Sequence, residues 1–413
     1  MTHELITISP IDGRPVVRRA YASEAQISQA LANAQGAQPA WHALGIQARG
    51  RIVAAAVDHV AAAKDEIARA ITIQMGRPLR DAPGEVDGFA ARARHMIAIA
   101  DDALAPIAAP AQPGFTRFIS REPIGVVLTI APWNYPLLTA VNSIVPALMA
   151  GNTVILKHSD QTPLCAELID RAFRDAGAPR GVFQYLHASH DITQRLIRAP
   201  EIGYVSFTGS VRGGRIVEES AVGRFISVGL ELGGNDPAYV REDANLDAAA
   251  ETLVDGAFFN AGQSCCGIQR IYVARGVHDA FGERAVALTQ RYVLGNPLQP
   301  GTTLGPVVRA RAAAEIREVI AQAVGAGAVN VIDNSHFKKA SESSRMRIMS
   351  EECFGPVAGI MPVDSDEQAI ALMNDSPYGL TAAVFTQDEA AALRIGGQVR
   401  AGTFFMNRCD YLD

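Results

Sequence analysis

Polar side chains with clear chemical uses follow several predicted strands in the middle of this sequence. Asn134 follows the strand at 125–131, Lys157 ends the next strand, and later strands lead into Thr208-Gly209-Ser210 and Glu231. An amide can stabilise an oxyanion, an ammonium and a Gly-Ser turn can bind phosphate or ribose, and a carboxylate can accept a proton. Because parallel strands end at one edge of a sheet, we expect these groups in a single crevice. Any one of them alone is also compatible with an ordinary polar loop residue.

The turn at 209–214 opens a predicted helix directly after a strand, a position where backbone N–H groups suit a phosphate. Its sequence, GSVRGG, matches neither the dinucleotide fingerprint nor the P-loop, so a simple glycine turn is an equal alternative. Lys157 can donate to a ribose or a phosphate. Asp160, three residues later, can accept from ribose hydroxyls, as acidic residues do in NAD sites.

A candidate nucleophile and a candidate base stand close to glycine turns. Cys265 follows Gly262-Gln263-Ser264, where nearby backbone N–H groups would lower the pKa of its thiol from about 8.5. The alternative for Cys265 is a buried apolar cysteine, and its neighbour Cys266 is interpreted as a bystander. Glu231 stands between two leucines ahead of Gly233-Gly234. This carboxylate is either a structural ion-pair partner or a poised general base.

Short β-branched runs alternate with helical segments between 125 and 232, which predicts a doubly wound parallel sheet covered by helices on both faces. The first hundred residues are predicted to be helical, with a capping box at Ser23 and Gln26. A proline-rich crossing at 105–114 leads to an edge strand at 115–122. Further strands are expected at 152–157, 182–187, 202–207, 225–232, 270–275, 357–363 and 381–386, and helices at 51–74, 87–104, 137–150, 162–176, 191–199, 210–222, 246–264, 278–292, 309–324 and 366–374. No internal repeat is visible, and 333–350 is predicted to be a polar surface loop.

The length and composition of the chain exclude several classes of function. A chain of 413 residues, 48% of them hydrophobic, is too long for one core and too apolar for disorder, so two or more domains are expected. Thirty-seven basic against 43 acidic residues, a net charge of −6, argue against nucleic acid or an anionic membrane as the main partner. The five cysteines lack CxxC spacing, which predicts reduced thiols and a location in the cytoplasm. No apolar run approaches the length of about 20 residues that a membrane helix needs, so the protein is predicted to be soluble. The nine histidines form no pattern that would predict a metal site.

Five short motifs stand in order along the chain: Pro132-Trp133-Asn134-Tyr135-Pro136, Phe207-Thr208-Gly209-Ser210, Leu230-Glu231-Leu232-Gly233-Gly234-Asn235, Gly262-Gln263-Ser264-Cys265 and Glu352-Cys353-Phe354-Gly355-Pro356. In order and spacing they resemble the aldehyde dehydrogenase superfamily, from about residue 8 to about residue 407. The resemblance implies an α/β fold of that type. It implies a Rossmann-like NAD-binding domain at 1–111 and 125–230, a small β oligomerisation element at 112–124, and a second α/β catalytic domain at 231–413.

The resemblance also implies roles for individual residues. Cys265 would be the nucleophile, Asn134 with the backbone N–H of Cys265 the oxyanion hole, and Glu231 the base for deacylation. The implied reaction oxidises an aldehyde, either a semialdehyde or a general aliphatic or aromatic one, to an acid with NAD(P)+ through a thiohemiacetal and a thioester. No metal is implied. The residues that the resemblance places at the cofactor are Trp133, Lys157, Asp160, Gly209, Ser210, Glu352 and Phe354.

The chain departs from the family pattern in three places. It stops at Asp413, without the strand expected to pair with 115–122, and the connection between Ala328 and Glu351 is short. With that strand in the natural protein a homodimer or homotetramer is expected. Without it, an inactive or truncated paralogue is an alternative, as is a cysteine-dependent esterase or acyl-transferase. The stretch Lys157-His158-Ser159-Asp160 carries His and Asp where the family commonly has Pro and Glu. Asp160 favours NAD by repelling a 2′-phosphate, and NADP use stays open.

Overall fold

The computed structural model describes residues 4–332, 349 and 351–409, and the chain forms two units. Unit 1 comprises Met1–Ser9, Gly13–Met75 and Asp81–Leu232. Unit 2 comprises Pro10–Asp12, Gly76–Arg80 and the chain from Gly233 onward. Apart from Met349, the predicted loop at 333–350 lies outside the described residues.

Unit 1 contains nine strands and nine helices among its described residues. The strands are β1 (Glu4–Ile8), β2 (Pro15–Ala20), β3 (Ile107–Ala108), β4 (Phe118–Ile119), β5 (Val126–Ala131), β6 (Thr153–His158), β7 (Phe183–Tyr185), β8 (Ile202–Thr208) and β9 (Ser227–Glu231). The helices are α1 (Glu24–Ala43), α2 (Ile46–Ala62), α3 (Lys64–Met75), α4 (Ala82–Ala98), α5 (Ala100–Leu104), α6 (Leu138–Met149), α7 (Pro163–Asp175), α8 (His190–Arg198) and α9 (Val211–Ala221).

The main sheet of unit 1 is parallel, with the order β7-β6-β5-β8-β9. Strand β5 lies at the centre of the sheet. The next strands along the chain, β6 and β7, lie on one side of β5, and β8 and β9 lie on its other side. The strand order therefore reverses between β5 and β8, which is where open α/β sheets bind ligands. Every residue of β5 and β6 is buried, as expected for strands covered by helices on both faces. The predicted α/β fold class is confirmed.

The start of the chain is the main error of the sequence-based prediction. The first hundred residues were expected to be helical, but β1 and β2 form an antiparallel hairpin. The stretch ELITI alternates exposed and buried residues, which is the period-two pattern of a half-buried strand. The predicted helix at 51–74 is also two helices, α2 and α3. The predicted capping box at Ser23 is present at the start of α1.

Unit 2 holds a second parallel sheet. Its strands are β10 (Asp236–Val240), β11 (Ile268–Ala274), β12 (Gly359–Val363), β13 (Thr381–Phe385) and β14 (Thr403–Met406), and its helices are α10 (Leu246–Phe258), α11 (His278–Thr289), α12 (Ala310–Gly325), α13 (Asp366–Asn374) and α14 (Glu389–Gly396). The order β12-β11-β10-β13-β14 repeats the order of the first sheet, strand for strand. The sequence shows no repeat because a buried strand requires only apolar side chains of suitable volume. Strands β10 and β14 were not predicted.

The edge strand predicted at 115–122 is reduced to the two residues of β4, which pair with β3 in an antiparallel ribbon. Phe118 and Ile119 in β4 remain 60% and 63% exposed. Among the described residues, no helix has both the length and the apolar character needed to cross a membrane.

Candidate active site

Asn134 lies in the loop that joins β5 to α6, at the point where the strand order of unit 1 reverses, and it is buried. Glu85 of α4 holds the end of this loop, because its carboxylate accepts from the backbone N–H groups of Leu137 at 2.8 Å and Leu138 at 3.3 Å. A carboxylate at the first turn of a helix satisfies donors that have no partner within the helix. Trp133 lies half-buried in the same loop. Glu85 was missed by the sequence analysis, since its distance of more than fifty residues from Leu137 leaves no local signal.

His158 fastens the other side of the Asn134 loop to the end of β6. Its Nδ1 accepts from the backbone N–H of Ser159 at 2.9 Å, so the neutral ring carries its proton on Nε2 and donates to the carbonyl of Pro136 at 2.9 Å. Burial lowers the pKa of His158 to about 4, with the positive charge of Lys157 acting in the same direction. This histidine, one of the departures from the family pattern, is therefore a neutral structural donor at ordinary pH.

We expect the stability of the protein to fall between pH 6.5 and pH 4 because of His158. The pKa of this imidazole is lower in the folded state than in the unfolded state, so protons bind preferentially to the unfolded chain as the pH falls. A shift from 6.5 to about 4 corresponds to a loss of about 3 kcal/mol in the free energy of unfolding at pH 4. Urea unfolding of the wild type and of His158→Gln at pH 7, 5.5 and 4.5 checks this. Equal pH dependence in the two proteins would contradict it.

Lys157 and Asp160 lie together at the end of β6, where Lys157 Nζ is 3.4 Å from Asp160 Oδ1. Tyr21 donates its hydroxyl to Asp160 Oδ2 at 2.8 Å, and Thr7 of the amino-terminal hairpin donates to the Asp160 carbonyl at 2.8 Å. Burial and this hydrogen bond raise the pKa of Tyr21, so it remains a donor. The contact of Tyr21 with Asp160 leaves no local signal in the sequence, because 139 positions separate the two residues.

Gly209 and Ser210 join β8 to α9. A Cβ on Gly209 would lie 2.6 Å from the ring of Phe207, so no side chain fits without movement of that ring. Ser210 caps α9 by accepting from the backbone N–H of Gly213 at 3.2 Å. The turn at 209–214 therefore leads into α9, Val211–Ala221, where the sequence predicts a helix at 210–222.

Glu231 ends β9, and its carbonyl accepts from the backbone N–H of Gly209 at 2.9 Å. The register pairs Glu231 with Thr208 in β8. Its side chain is exposed, and among the described residues of unit 1 no hydrogen bond or ion pair involves its carboxylate. Glu231 was expected to be either a structural ion-pair partner or a general base. The described part of unit 1 gives no support to the ion pair.

In unit 2, Cys265 is presented by an unusual left-handed turn. Asn260, Ala261 and Gly262 have φ angles of 55°, 56° and 65°. Such a conformation costs alanine about 1–2 kcal/mol, which the surrounding contacts must offset. Asn260 and Gln263 do so reciprocally: each donates its side-chain amide to the other's carbonyl, at 3.2 and 3.0 Å. Gln263 Oε1 also accepts from the backbone N–H of Val308 at 2.7 Å.

Three of the five motifs pack against one another around this turn. A Cβ on Gly262 would lie 2.2 Å from the carbonyl of Gly355, and a Cβ on Gly234 would lie 2.2 Å from the carbonyl of Cys265. Both obstacles are backbone atoms, so only glycine allows the segments to approach this closely. The conformation at Gly262 is itself one that favours glycine. The Gly-Gly turn, the cysteine segment and the segment beginning at Glu352 therefore form one site.

Glu352 is part of this cluster. Its carboxylate accepts from the backbone N–H of Gly234 at 3.0 Å, and burial raises its pKa to about 7. Burial also raises the pKa of Asp236 to about 7, against the opposing effect of its hydrogen bonds from Thr381. Phe354 is half-buried, and its φ of 49° places it in the left-handed region. Asp236 was not among the predicted site residues, although a carboxylate at the start of a fully buried strand is a usable signal.

Comparisons with known proteins show the family to which this chain belongs. The sequence model of the aldehyde dehydrogenase family matches residues 2–412. The chain is 35% identical to 3,6-anhydro-alpha-L-galactose dehydrogenase of Streptomyces coelicolor, over 98% of this chain and 85% of that protein. It is 32% identical to the NAD(P)+ succinate semialdehyde dehydrogenase Sad of Escherichia coli, over 97% and 89%. It also superposes on the crystal structure of PnpE in complex with nicotinamide adenine dinucleotide, with a TM-score of 0.93, 32% identity, and coverage of 99% and 87%.

These matches extend over nearly the whole chain, and the identities exceed 30%. They therefore show both the fold and the reaction class of this chain. The chain belongs to the aldehyde dehydrogenase family and is an NAD(P)-dependent oxidoreductase that oxidises an aldehyde to a carboxylic acid.

Proposed function

We propose that Cys265 is the nucleophile of this reaction. Its thiolate adds to the aldehyde carbonyl carbon and forms a thiohemiacetal. This becomes a thioester when its oxygen, without a proton, forms the carbonyl double bond again and its carbon loses the aldehyde hydrogen as a hydride. NAD(P)+, when bound, accepts that hydride equivalent. The observation that carries the proposal is the packing of three motif segments around the Cys265 backbone, at positions where only glycine fits. Such a scaffold holds the sulfur of one residue in a defined place.

We propose that Asn134 stabilises the negatively charged oxygen of the intermediate and that Glu231 is the base for hydrolysis of the thioester. Asn134 donates its side-chain amide to the oxygen that becomes negative when the thiolate adds, together with the backbone N–H of Cys265. Its burial and the fastening of its loop by Glu85 and His158 support this role, because a stabilising donor must be oriented before the reaction. Glu231 takes a proton from the water that hydrolyses the thioester. Its exposed carboxylate, unpaired within the described part of unit 1, is available for that proton.

The residues at the carboxyl edge of the first sheet fit the cofactor that the family uses. Lys157 offers an ammonium and Asp160 a carboxylate oriented by Tyr21, which together suit the hydroxyls of a ribose. The amino terminus of α9, capped by Ser210 after Gly209, suits a pyrophosphate. We propose NAD as the preferred cofactor, because the charge of Asp160 opposes a 2′-phosphate, and NADP as the alternative.

The remaining proposed cofactor residues are Trp133 in unit 1 and Glu352 and Phe354 in unit 2. We propose that Glu352 binds the ribose next to the nicotinamide and that Trp133 and Phe354 pack near the nicotinamide. Glu352 is well suited to a hydroxyl, because a carboxyl with a pKa near 7 is able both to accept and to donate a hydrogen bond. Unit 1 would then serve as the cofactor-binding domain, up to about residue 230, and unit 2 as the catalytic domain.

A panel of aldehydes tests the proposed function. The purified protein is mixed with NAD or NADP and with semialdehydes, aliphatic aldehydes or aromatic aldehydes, and the absorbance of the reduced cofactor is followed. We expect oxidation with NAD and weaker oxidation with NADP. Hydrolysis of an ester without either cofactor, and no oxidation of any aldehyde, would favour a cysteine esterase instead. No reaction of any kind from a folded protein would favour an inactive paralogue.

We further propose a homodimer or homotetramer that assembles through the ribbon of β3 and β4, with a second copy of this chain as the partner. The exposed side chains of Phe118 and Ile119, together with half-exposed Ile107, form an apolar surface of the kind that marks protein interfaces. We place the enzyme in the cytoplasm, since its five cysteines are sparse and lack CxxC spacing, which is usual for a protein kept in a reducing compartment.

Replacing Ile119 with glutamate should shift the protein to smaller assemblies without unfolding it. A carboxylate inserted into an apolar interface would be buried without a partner, whereas in a free chain it remains solvated. Light scattering coupled to gel filtration, on the wild type and the variant at equal concentration, measures the mass. An equivalent change at exposed Leu393 in unit 2, Leu393→Glu, is the control and should leave the mass unchanged. Equal masses for the wild type and Ile119→Glu would contradict the proposed surface.

A further inference from the structure

We propose that Cys265 and Cys266 form a peroxide-sensitive dithiol, which closes to a disulfide between neighbouring residues and reopens with a thiol reductant. The inference begins from their geometry, since the two Sγ atoms lie only 3.7 Å apart. A disulfide needs the sulfurs at about 2.05 Å, so joining them requires rotation of both side chains and a change in the backbone between them.

The local backbone explains why these thiols face each other. The backbone N–H of Gly267 donates to the carbonyl of Ser264 at 3.2 Å, which closes a four-residue turn with the two cysteines at its centre. The backbone N–H of Cys266 also donates to Ser264 Oγ at 3.3 Å. Gln263 and Ser264 before them are buried, while both cysteines are half-buried. A small oxidant can therefore reach this pair.

Two of the other described thiols are less accessible than this pair. Cys165 and Cys409 are buried, and Cys353 is separated in sequence from the pair by the β11 strand and the segment after it. Oxidation of an accessible thiolate needs a second thiol close by if it is to end in a disulfide rather than in a higher oxide. Among the described cysteines, Cys266 meets that condition for Cys265.

The chemistry balances with hydrogen peroxide as the oxidant. The Cys265 thiolate attacks one peroxide oxygen, the O–O bond breaks, and hydroxide leaves, which gives a sulfenic acid. The Cys266 sulfur then attacks the Cys265 sulfur, and its proton leaves with the departing oxygen as water. Two thiols and one peroxide become one disulfide and two waters, so the cysteines lose two electrons and the peroxide gains them.

Neighbouring residues impose strain on such a disulfide, and that strain makes it reversible. Adjacent Cα atoms are about 3.8 Å apart across a trans peptide, closer than the usual separation of about 4.4–6.8 Å in disulfides. Strained disulfides are the ones that thiol reductants open most readily. The pair would therefore switch Cys265 off under peroxide and protect it from irreversible oxidation. The effect on activity rests on the proposed role of Cys265, whereas disulfide formation does not.

Peroxide treatment of the full chain, followed by a dithiol reductant, tests the proposal. The wild type should lose aldehyde oxidation and recover most of it after reduction, and its oxidised peptide spanning 265–266 should be lighter by two hydrogen atoms. Cys266→Ser should have ordinary activity before treatment, but after peroxide it should recover less than about a tenth, with Cys265 found as sulfinic acid. Cys266→Ala serves the same purpose if the serine variant does not fold.

Cys353→Ser is the matched control and should recover like the wild type. Loss of recovery in that variant would show that Cys353, not Cys266, closes the disulfide, and would overturn the proposal. Equal recovery of the wild type and Cys266→Ser, or a treated wild-type peptide without the mass change, would overturn it as well. Because mass reports the disulfide even in a protein without dehydrogenase activity, failure of the proposed function remains distinguishable from failure of this inference.

Discussion

Replacing Cys265 with serine should remove aldehyde oxidation, with kcat/KM falling by at least about 10⁴-fold. A serine hydroxyl is not ionised at neutral pH, so the hemiacetal and ester that would replace the thiohemiacetal and thioester cannot form at a useful rate. Cofactor binding should remain, because the proposed contacts to ribose and pyrophosphate lie on other segments. Absorbance of the reduced cofactor measures the reaction, and calorimetry with NAD measures the binding.

Cys266→Ser is the control for this variant. Cys266 occupies the next position in the same turn, is half-buried to a similar degree, and has its sulfur 3.7 Å from that of Cys265. It should keep activity within about twofold of the wild type, since serine is nearly isosteric with cysteine and Cys266 has no role in the proposed reaction. If Cys266→Ser lost activity and Cys265→Ser kept it, the assignment of the nucleophile would be wrong.

Glu231→Gln should slow hydrolysis of the thioester while leaving its formation intact. A glutamine amide cannot take a proton from water, and general-base catalysis contributes about 10²–10⁴-fold to such steps. We therefore expect kcat to fall by about 10²–10³-fold. Reduced cofactor should still appear in a rapid burst close to one equivalent per active site, because the electrons leave before water is needed. Stopped-flow absorbance separates the burst from the slow phase that follows.

Glu218→Gln is the control for the Glu231 variant. Glu218 is an exposed carboxylate on α9 of the same unit. Each variant therefore removes one negative charge from unit 1. It should show ordinary turnover. A Glu231→Gln protein that also loses its burst would indicate that this carboxylate acts before the electrons leave. Unchanged turnover would remove it from the reaction altogether.

The sequence predicted the first parallel sheet well because its elements depend on local patterns. Strands β5 and β6 are continuous apolar runs, and the turn into α9 at Ser210 is marked by Gly209 and by the change from strand to helix spacing. The same reasoning failed for β1, where five residues of alternating burial stand before a long helical region. It also missed β10, in which Asp236 and Pro237 weaken the strand pattern.

The reaction class, the likeness to the family and the residue types available for chemistry could all be predicted from the amino-acid sequence. The distant groups that orient those residues could not: Tyr21 on Asp160, Glu85 at the start of α6, and Gly355 against Gly262. Local burial and backbone conformation produce a periodic pattern of apolar residues along the chain, which can be recognised in the sequence. A hydrogen bond between residues more than fifty positions apart depends instead on which surfaces pack together in the folded protein. Such packing produces no periodic pattern in the sequence.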